Sequence, residues 1–387
     1  MRLRIWRIIE AMNGGTARRL VLHVGTEKTG TTSIQTALAD SREDLARAGI
    51  LFPKSLGPVN HTWLVAASLD DGVFDNVKAH VLASKRTNEL RYRRAIRRRF
   101  RRELERNPNW RVLVVSSELV HSRLTTSSEI ERLLGFFAPL VDEITVVMCL
   151  RRQDRLAVSR FSSVLRAGYA HFDGVFQDLA SHCFLAAPPD RVLDDMGNYY
   201  DYRALIDRFT PHLDRADIRI ATYTGDRREN IERFFQLAGL PLGTINVPDV
   251  ALNPSLSADA QYVLSRVNGV RKPWMPNGLR DKVVKEIHTA VEAELKGKPR
   301  RVPRGEAEEF FDRFRASNEW VRERYFPQED RLFGEDFSDY PERTDYDLLE
   351  DRLSGVTAEY LRRLESLVPR RCRRSLFSFA WGASRRF

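Results

Sequence analysis

Cysteine is scarce in this sequence: Cys149, Cys183 and Cys372 stand far apart in 387 residues. An odd, scattered set is neither a disulfide framework nor a metal-ligand motif. Cys149, inside the apolar run 144–150, reads as a core thiol. Long hydrophobic runs are missing as well. No stretch of about 18 apolar residues occurs, so no segment reads as a membrane-spanning helix. The opening Met1-Arg-Leu-Arg-Ile-Trp-Arg-Ile-Ile is too short an apolar run for a signal peptide. A reducing, cytoplasmic location is the expectation that follows. No internal repeat is visible. Hydrophobic residues at 42% beside 30% charged residues exclude a chain disordered throughout.

What is abundant is positive charge. Lys and Arg number 63 against 53 Asp and Glu, a net charge of +10. That excess favours an anionic partner without naming one. Residues 85–106 hold eleven Lys or Arg against three Glu, with Leu90, Ala95, Ile96, Phe100 and Leu104 on one side of a helix. They read as a solvated charged helix with one buried stripe, as a surface for an acidic substrate, or as a nucleic-acid contact. The last residues, 370–387, mix six arginines with Leu376, Phe377, Phe379, Trp381 and Phe387. Basic residues interleaved with aromatics suit an anionic membrane surface, and equally a tail without function.

Short β-branched apolar runs at 20–24, 112–115, 144–150 and 218–223 predict strands buried on both faces, as in a parallel sheet. Helical patterns lie between them at about 32–48, 86–106, 128–138, 153–168 and 200–213. Strands alternating with helices predict an α/β fold, a three-layer doubly wound parallel sheet. After Pro248 the strand signals stop. Helices are expected near 258–268, 281–297, 305–325 and 356–367, forming a helical C-terminal part.

The sharpest signal is Leu20-Val-Leu-His-Val-Gly-Thr-Glu-Lys-Thr-Gly-Thr-Thr-Ser-Ile-Gln35. An apolar strand enters a turn containing Gly25 and Gly30, and a helix starts near Thr31. Such a turn leaves backbone N–H groups at a helix N-terminus, where the dipole favours phosphate or sulfate. Thr29, Thr31, Thr32 and Ser33 add hydroxyls. The nucleotide-triphosphatase loop needs Gly, four residues, then Gly-Lys-Ser/Thr. Here the glycine spacing fits, but Thr31 takes the lysine position and Lys28 lies inside the loop. A second pattern follows the run 144–150. Arg155, Ser159, Ser162, Ser163 and Arg166 line one helix stripe, and a serine stripe bounded by arginines suits a phosphate.

Lys28-Thr29-Gly30-Thr31-Thr32-Ser33 resembles the 5′-phosphosulfate loop of sulfotransferases that use 3′-phosphoadenosine-5′-phosphosulfate (PAPS). Arg151 at a strand end, with Ser159 eight residues later, resembles their 3′-phosphate motif. Ser116-Ser117-Glu118, Leu150-Arg-Arg-Gln-Asp154, Asn253-Pro-Ser-Leu-Ser257, Ser317-Asn-Glu-Trp-Val and Asp336-Phe-Ser-Asp-Tyr-Pro341 resemble a group of bacterial sulfotransferase-like proteins. The likeness covers roughly residues 18–342. It implies a P-loop-like fold and a division into a basic segment 1–17, a sulfotransferase domain 18–345 with its α/β core to about 250, and a C-terminal helix and tail 346–387. It implies that Lys28 contacts the bridging oxygen of the phosphosulfate. Gly25 and residues 29–33 would hold the 5′-phosphate, Arg151 and Ser159 the 3′-phosphate, and Asn253 and Ser255 would help with the nucleotide.

Sulfuryl transfer to a hydroxyl needs a base, and sulfotransferases use a glutamate or a histidine. Glu118, following the strand 112–115, should sit at the carboxyl edge of the sheet beside the loop. His61, in Val59-Asn-His-Thr-Trp63, is the second candidate and His121 a third. His23, on a buried strand, reads as a satisfied core histidine. The scheme needs PAPS as co-substrate and no metal. The expected acceptor is a hydroxyl or amine, first a carbohydrate or glycolipid, with peripheral contact to the inner face of the membrane through the tail and no nucleic acid partner. Two other readings stand beside it: a P-loop kinase, which should carry the lysine that Thr31 replaces, and a non-catalytic binder of anionic surfaces, which leaves the loop unexplained.

Overall fold

The structure, a computed structural model, describes residues 17–168, 199–214, 217–245, 255–269, 277–343 and 346–367. Asn253, Cys183, Cys372 and the basic-aromatic tail lie outside the described residues. The chain divides into two compact units. The first takes the described residues within 1–153, 184–252 and 313–334, and the second those within 154–183, 253–312 and 335–387.

In chain order the elements begin with β1 (Arg19–His23), α1 (Thr31–Asp40), α2 (Arg42–Arg47) and β2 (Ile50–Leu51). Next are α3 (Thr62–Ser68), α4 (Asn76–Ser84), α5 (Glu89–Arg106), β3 (Val112–Ser116), α6 (Leu119–Arg123) and α7 (Ser127–Leu134). Then come β4 (Glu143–Leu150), α8 (Gln153–Arg166), α9 (Tyr202–Asp207), β5 (Ile218–Thr222) and α10 (Arg227–Ala238). The helical remainder holds α11 (Ala258–Gly269), α12 (Asn277–Glu294), α13 (Arg304–Asp312), α14 (Arg315–Tyr325) and α15 (Tyr346–Leu367).

The first unit is built on a five-stranded sheet of order β2-β3-β1-β4-β5. Every pairing is parallel; Leu20, for example, aligns with Leu113 on one side and Ile144 on the other. Successive strand residues point to opposite faces, and both faces are covered. Leu20, Leu22, Leu113, Val115, Val146 and Met148 pack with Leu64, Ile96, Phe100 and Leu205. Val21, Val114 and Val147 pack with Ile34, Leu38, Ile231 and Phe235. This is the expected three-layer α/β arrangement with a helical C-terminal part. Because the chain leaves β1 for β2 and β3 on one side and for β4 and β5 on the other, β1 is the switch point. Ligands of open α/β sheets bind beyond the carboxyl ends of the strands there.

Some boundaries differ from the sequence reading. The helix predicted over 32–48 is two, because Ser41 caps α1 through its N–H to Ala37 O at 3.1 Å while its carbonyl starts α2. The pattern at 305–325 likewise breaks after Asp312. β2 has two residues, too few to stand out as an apolar run. On α5 the buried positions are Tyr92, Ile96, Phe100 and Leu104. Leu90, expected in the buried stripe, is 57% exposed.

In the second unit α11, α12 and α15 pack together, tied by Arg352 to Asp259 at 2.5 Å and by Arg363 to Glu294 at 3.0 Å.

Candidate active site

Beyond His23 the chain keeps its pairing with β4 for three more residues. Val24 N–H donates to Val147 O at 3.1 Å, Thr26 N–H to Cys149 O at 2.8 Å, and Cys149 N–H to Gly25 O at 2.6 Å. Thr26 Oγ1 donates to Cys149 O at 3.1 Å and Thr29 Oγ1 to Thr26 O at 2.7 Å. The Thr29 hydroxyl therefore folds the loop on itself, which leaves its backbone N–H for any ligand. Burial pushes the Cys149 thiol up to about 12, so it is inert, as the sequence implied.

The loop demands unusual backbone. Gly25 has φ 96°, and a Cβ there would meet Glu118 Cβ at 3.1 Å and Glu118 Cα at 3.2 Å. Gly30, at the N-cap of α1, has φ 79° and supplies no side-chain cap. Lys28 takes φ 63°, one of two non-glycine residues with positive φ among the described residues. Holding an L-residue in this region costs roughly 1–2 kcal/mol, and such strain concentrates where a ligand is held. Among the described residues no acceptor takes the backbone N–H of Thr29, Gly30, Thr31 or Thr32; Ser33 N–H is the first to find one, Gly30 O at 3.0 Å. Four successive donors at the start of a ten-residue helix are thus left without an acceptor among the described residues. Their dipoles add in one direction, which suits the loop to an anion. Thr32 is exposed there, whereas Thr31 and Ser33 are buried.

Glu118 stands against this loop. Its Oε2 accepts from Gln35 Nε2 at 2.6 Å and its Oε1 from Asn60 Nδ2 at 2.9 Å. Asn60 is fixed in turn by Ser117 Oγ, which donates to Asn60 Oδ1 at 2.7 Å. Burial raises the Glu118 pKa above the ordinary carboxylate value. Donation from Gln35 pulls the other way, and the charges of Glu27 and Lys28 act in opposite directions. Both oxygens accept, which suits the ionised form.

The histidines are built differently. His61 is fully buried. Its Nε2–H donates to Pro53 O at 2.8 Å, and its Nδ1 accepts from Ser116 N–H at 3.0 Å. Burial lowers its pKa to about 3. With both nitrogens held by backbone, the ring has no lone pair for an acceptor's proton; the feature expected to be a base is a brace between β3 and the segment before α3. His121 is buried likewise, with Nδ1 accepting from Glu27 N–H at 3.3 Å and Nε2–H donating to Tyr199 O at 2.8 Å. Tyr199 OH donates to Glu27 Oε2 at 3.0 Å, so Glu27, His121 and Tyr199 are linked to one another. His23 Nδ1 meets Ser116 Oγ at 2.8 Å, but its buried Nε2 has no hydrogen-bond partner. It is a core histidine only half satisfied, and burial lowers its pKa to about 4.

Arg151, at the end of β4, sends Nη1 to Lys28 O at 2.8 Å and lays its guanidinium over Tyr223 at 4.8 Å. The rest of the run 151–154 is structural. Arg152 donates to Gly334 O at 2.6 Å, and Gln153 Nε2 donates to Asn318 Oδ1 at 2.7 Å. In the second unit Asp154 accepts from Tyr340 OH at 2.7 Å. The arginines expected to bound a phosphate-facing stripe on α8 have carboxylate partners: Arg155 pairs with Asp339 at 2.7 Å and Arg166 with Glu292 at 2.9 Å. Ser162 Oγ accepts from Gln261 Nε2 at 3.1 Å. Ser159 is buried, with no partner for its hydroxyl among the described residues. Ser255 is exposed.

Gln35 and Asn60, which clamp Glu118, carried no motif in the sequence. Gln35 lies one turn after Thr31 on the helix that the loop starts, and that position is the signal that could have found it.

No family model matches the chain, and no curated protein matches it. Among solved structures it is similar to the crystal structure of a sulfotransferase from Alicyclobacillus acidocaldarius, with a TM-score of 0.44 and 14% identity, covering 81% of this chain and 98% of that chain.

Proposed function

We propose that the chain is a PAPS-dependent sulfotransferase. The observation that carries this is the run of four unaccepted backbone donors, 29–32, with Lys28 inside the same loop and Glu118 packed against it. An anion with a phosphate and a departing group matches that cradle. In the reaction the bond between sulfur and the 5′-phosphate oxygen breaks as a bond to the acceptor oxygen forms. Negative charge builds on the phosphate, where the Lys28 ammonium and the α1 N-terminus stabilise it. The acceptor's proton passes to Glu118, held by Gln35 and Asn60 as an acceptor-only carboxylate.

Arg151 and Ser159 are assigned to the 3′-phosphate from their motif, and Asn253 and Ser255 to the nucleotide on the same ground. The acceptor is proposed to be a carbohydrate or glycolipid hydroxyl, consistent with the net positive charge, and the tail 370–387 a contact to the inner face of the membrane. The test is calorimetric titration with 3′-phosphoadenosine-5′-phosphate (PAP), AMP and ATP, followed by an acceptor screen with labelled PAPS. Tight ATP–magnesium binding with no response to PAP would assign the loop to phosphoryl chemistry instead.

A further inference from the structure

The outward face of α5 has no role in the chemistry above. Tyr92, Ile96, Phe100 and Leu104 turn inward, which directs Arg91, Arg94, Arg98, Arg101 and Arg102 to solvent, all of them exposed. None of the five has a carboxylate partner among the described residues. This sets them apart from Arg93 on the same helix, which donates to Ala67 O at 2.8 Å and pairs with Asp71 at 2.6 Å. From Arg91 to Arg102 the row is about 16 Å long at 1.5 Å per residue.

The two most exposed large apolar side chains among the described residues stand at the start of this helix. Leu90 is 57% exposed and Phe74 is 60% exposed. The segment bearing Phe74 is fastened to the first turns of α5 by the Asp71–Arg93 pair and by Lys78 to Glu89 at 2.9 Å. A row of uncompensated arginines ending in two bare apolar tips matches an anionic bilayer, which offers headgroup charge and acyl carbon together. A sulfated glycan or a nucleic acid would meet the arginine charge, yet the Leu90 side chain offers such a ligand neither a stacking ring nor a hydrogen bond, whereas acyl carbon accommodates Leu90 and Phe74 alike.

We infer that the exposed face of α5, with Phe74 and Leu90, docks the protein on a membrane surface rich in anionic phospholipid. The inference does not depend on the sulfuryl reading, and PAP titration keeps the two separable. The test is co-sedimentation of the full chain with vesicles of phosphatidylcholine alone or mixed with phosphatidylglycerol, over a salt series. Binding should need phosphatidylglycerol and fall with salt. The Arg94→Gln, Arg98→Gln, Arg101→Gln triple variant should bind on the order of 100-fold more weakly, at roughly fivefold per arginine. The matching Arg→Lys triple should bind as the parent does, because the attraction is to charge. Phe74→Ser with Leu90→Ser should weaken binding severalfold and leave the salt dependence unchanged. PAP affinity and melting temperature, equal to the parent's, report that each variant is folded. Undiminished vesicle binding by the Gln triple would overturn the inference and leave the tail as the contact. So would equal binding to pure phosphatidylcholine, or binding by this face to heparin but not to vesicles. Should the Gln triple not fold, the salt series and the Phe74/Leu90 variant decide alone.

Discussion

The loop 25–33 and helix α8 contain the same kinds of residue, hydroxyls and basic side chains on a strand-to-helix turn, yet the structure treats them in opposite ways. In the loop, four consecutive amides have no acceptor among the described residues. On α8, Arg155 and Arg166 each face a carboxylate, and Ser162 accepts a side-chain amide. Charge that is already paired gains little from a ligand, because binding must first break the pair; donors without acceptors gain fully. Residue type therefore marks where an anion could bind, and the state of the partners marks where it would gain most by binding. The comparison can be broken from either side.

The largest effect should come from the loop. Lys28→Ala removes the one ammonium in it, at a position where charge develops as the sulfuryl group departs. Turnover should fall on the order of 10²–10³-fold, the range for losing a preorganised electrostatic contact, while PAP affinity falls far less. Alanine keeps the same backbone penalty as lysine at φ 63°, so folding should be spared. Full activity in this variant would remove the chemical half of the proposal.

Glu118→Gln should follow, with a loss of about 10²-fold and PAP affinity nearly unchanged. Since burial raises the Glu118 pKa, the base is deprotonated only above the ordinary glutamate range of about 4.3. The acid limb of kcat should therefore rise through a pKa higher than that, and the limb should vanish in the variant. Asn60→Ala leaves Gln35 as the side-chain amide donor to the carboxylate and should shift this limb while sparing PAP binding.

How these assignments relate to the sequence depends on what local pattern can encode. The apolar runs around β1, β3, β4 and β5 are continuous because both sheet faces are covered, so period and composition were enough to find them. The loop was legible because glycine spacing and Lys28 are local. Glu118 could be placed at the sheet edge because it follows a strand. His61 could not be demoted from sequence, since its two partners, Pro53 O and Ser116 N–H, are backbone groups that any sequence would supply. Nor could Arg155 be told from Arg151: their partners, Asp339 and Lys28 O, lie more than a hundred residues away in sequence. Resemblance motifs such as Ser317-Asn318 and Asp336–Pro341 sit partly in this class. Asn318 exchanges hydrogen bonds with Gln153, and Tyr340 donates to Asp154, so both hold the frame.

The buried histidines sharpen the contrast by acting on stability alone. His23 and His61 have folded pKa values lowered to about 4 and about 3, against 6.5 when exposed. A histidine with a depressed folded pKa favours the native state above its unfolded pKa, and that contribution is lost as pH falls below about 6.5. By pH 5 each should have cost about 2 kcal/mol, since the unfolded form takes up the proton first. Denaturant midpoints should drop between pH 7 and pH 5. His61→Gln should be less stable than the parent at pH 7 yet show a shallower decline, by the roughly 2 kcal/mol that His61 contributes between pH 7 and pH 5. An unaltered slope would mean that His61 titrates normally and that its ring is reachable by solvent.

The smallest effect is also the most direct test of the opening comparison, because it pits two arginines of one turn against each other. If Arg151 and Ser159 read a 3′-phosphate, PAP should bind at least about tenfold more tightly than AMP, the scale of one charge-assisted hydrogen bond. Arg151→Ala should collapse that ratio toward one. Arg151 also supports the Lys28 carbonyl, so AMP affinity serves as the control: loss of loop geometry lowers both ligands together, whereas loss of 3′-phosphate recognition lowers PAP alone. Arg155→Ala should leave the PAP to AMP ratio untouched. Its pairing with Asp339 is partly exposed on both sides, at 31% and 50%, so solvent screening limits the contribution of that pair to about 1 kcal/mol or less. If Arg155→Ala lowered the ratio as much as Arg151→Ala, the ion pair with Asp339 would be one that the nucleotide exchanges, and α8 would belong with the loop after all.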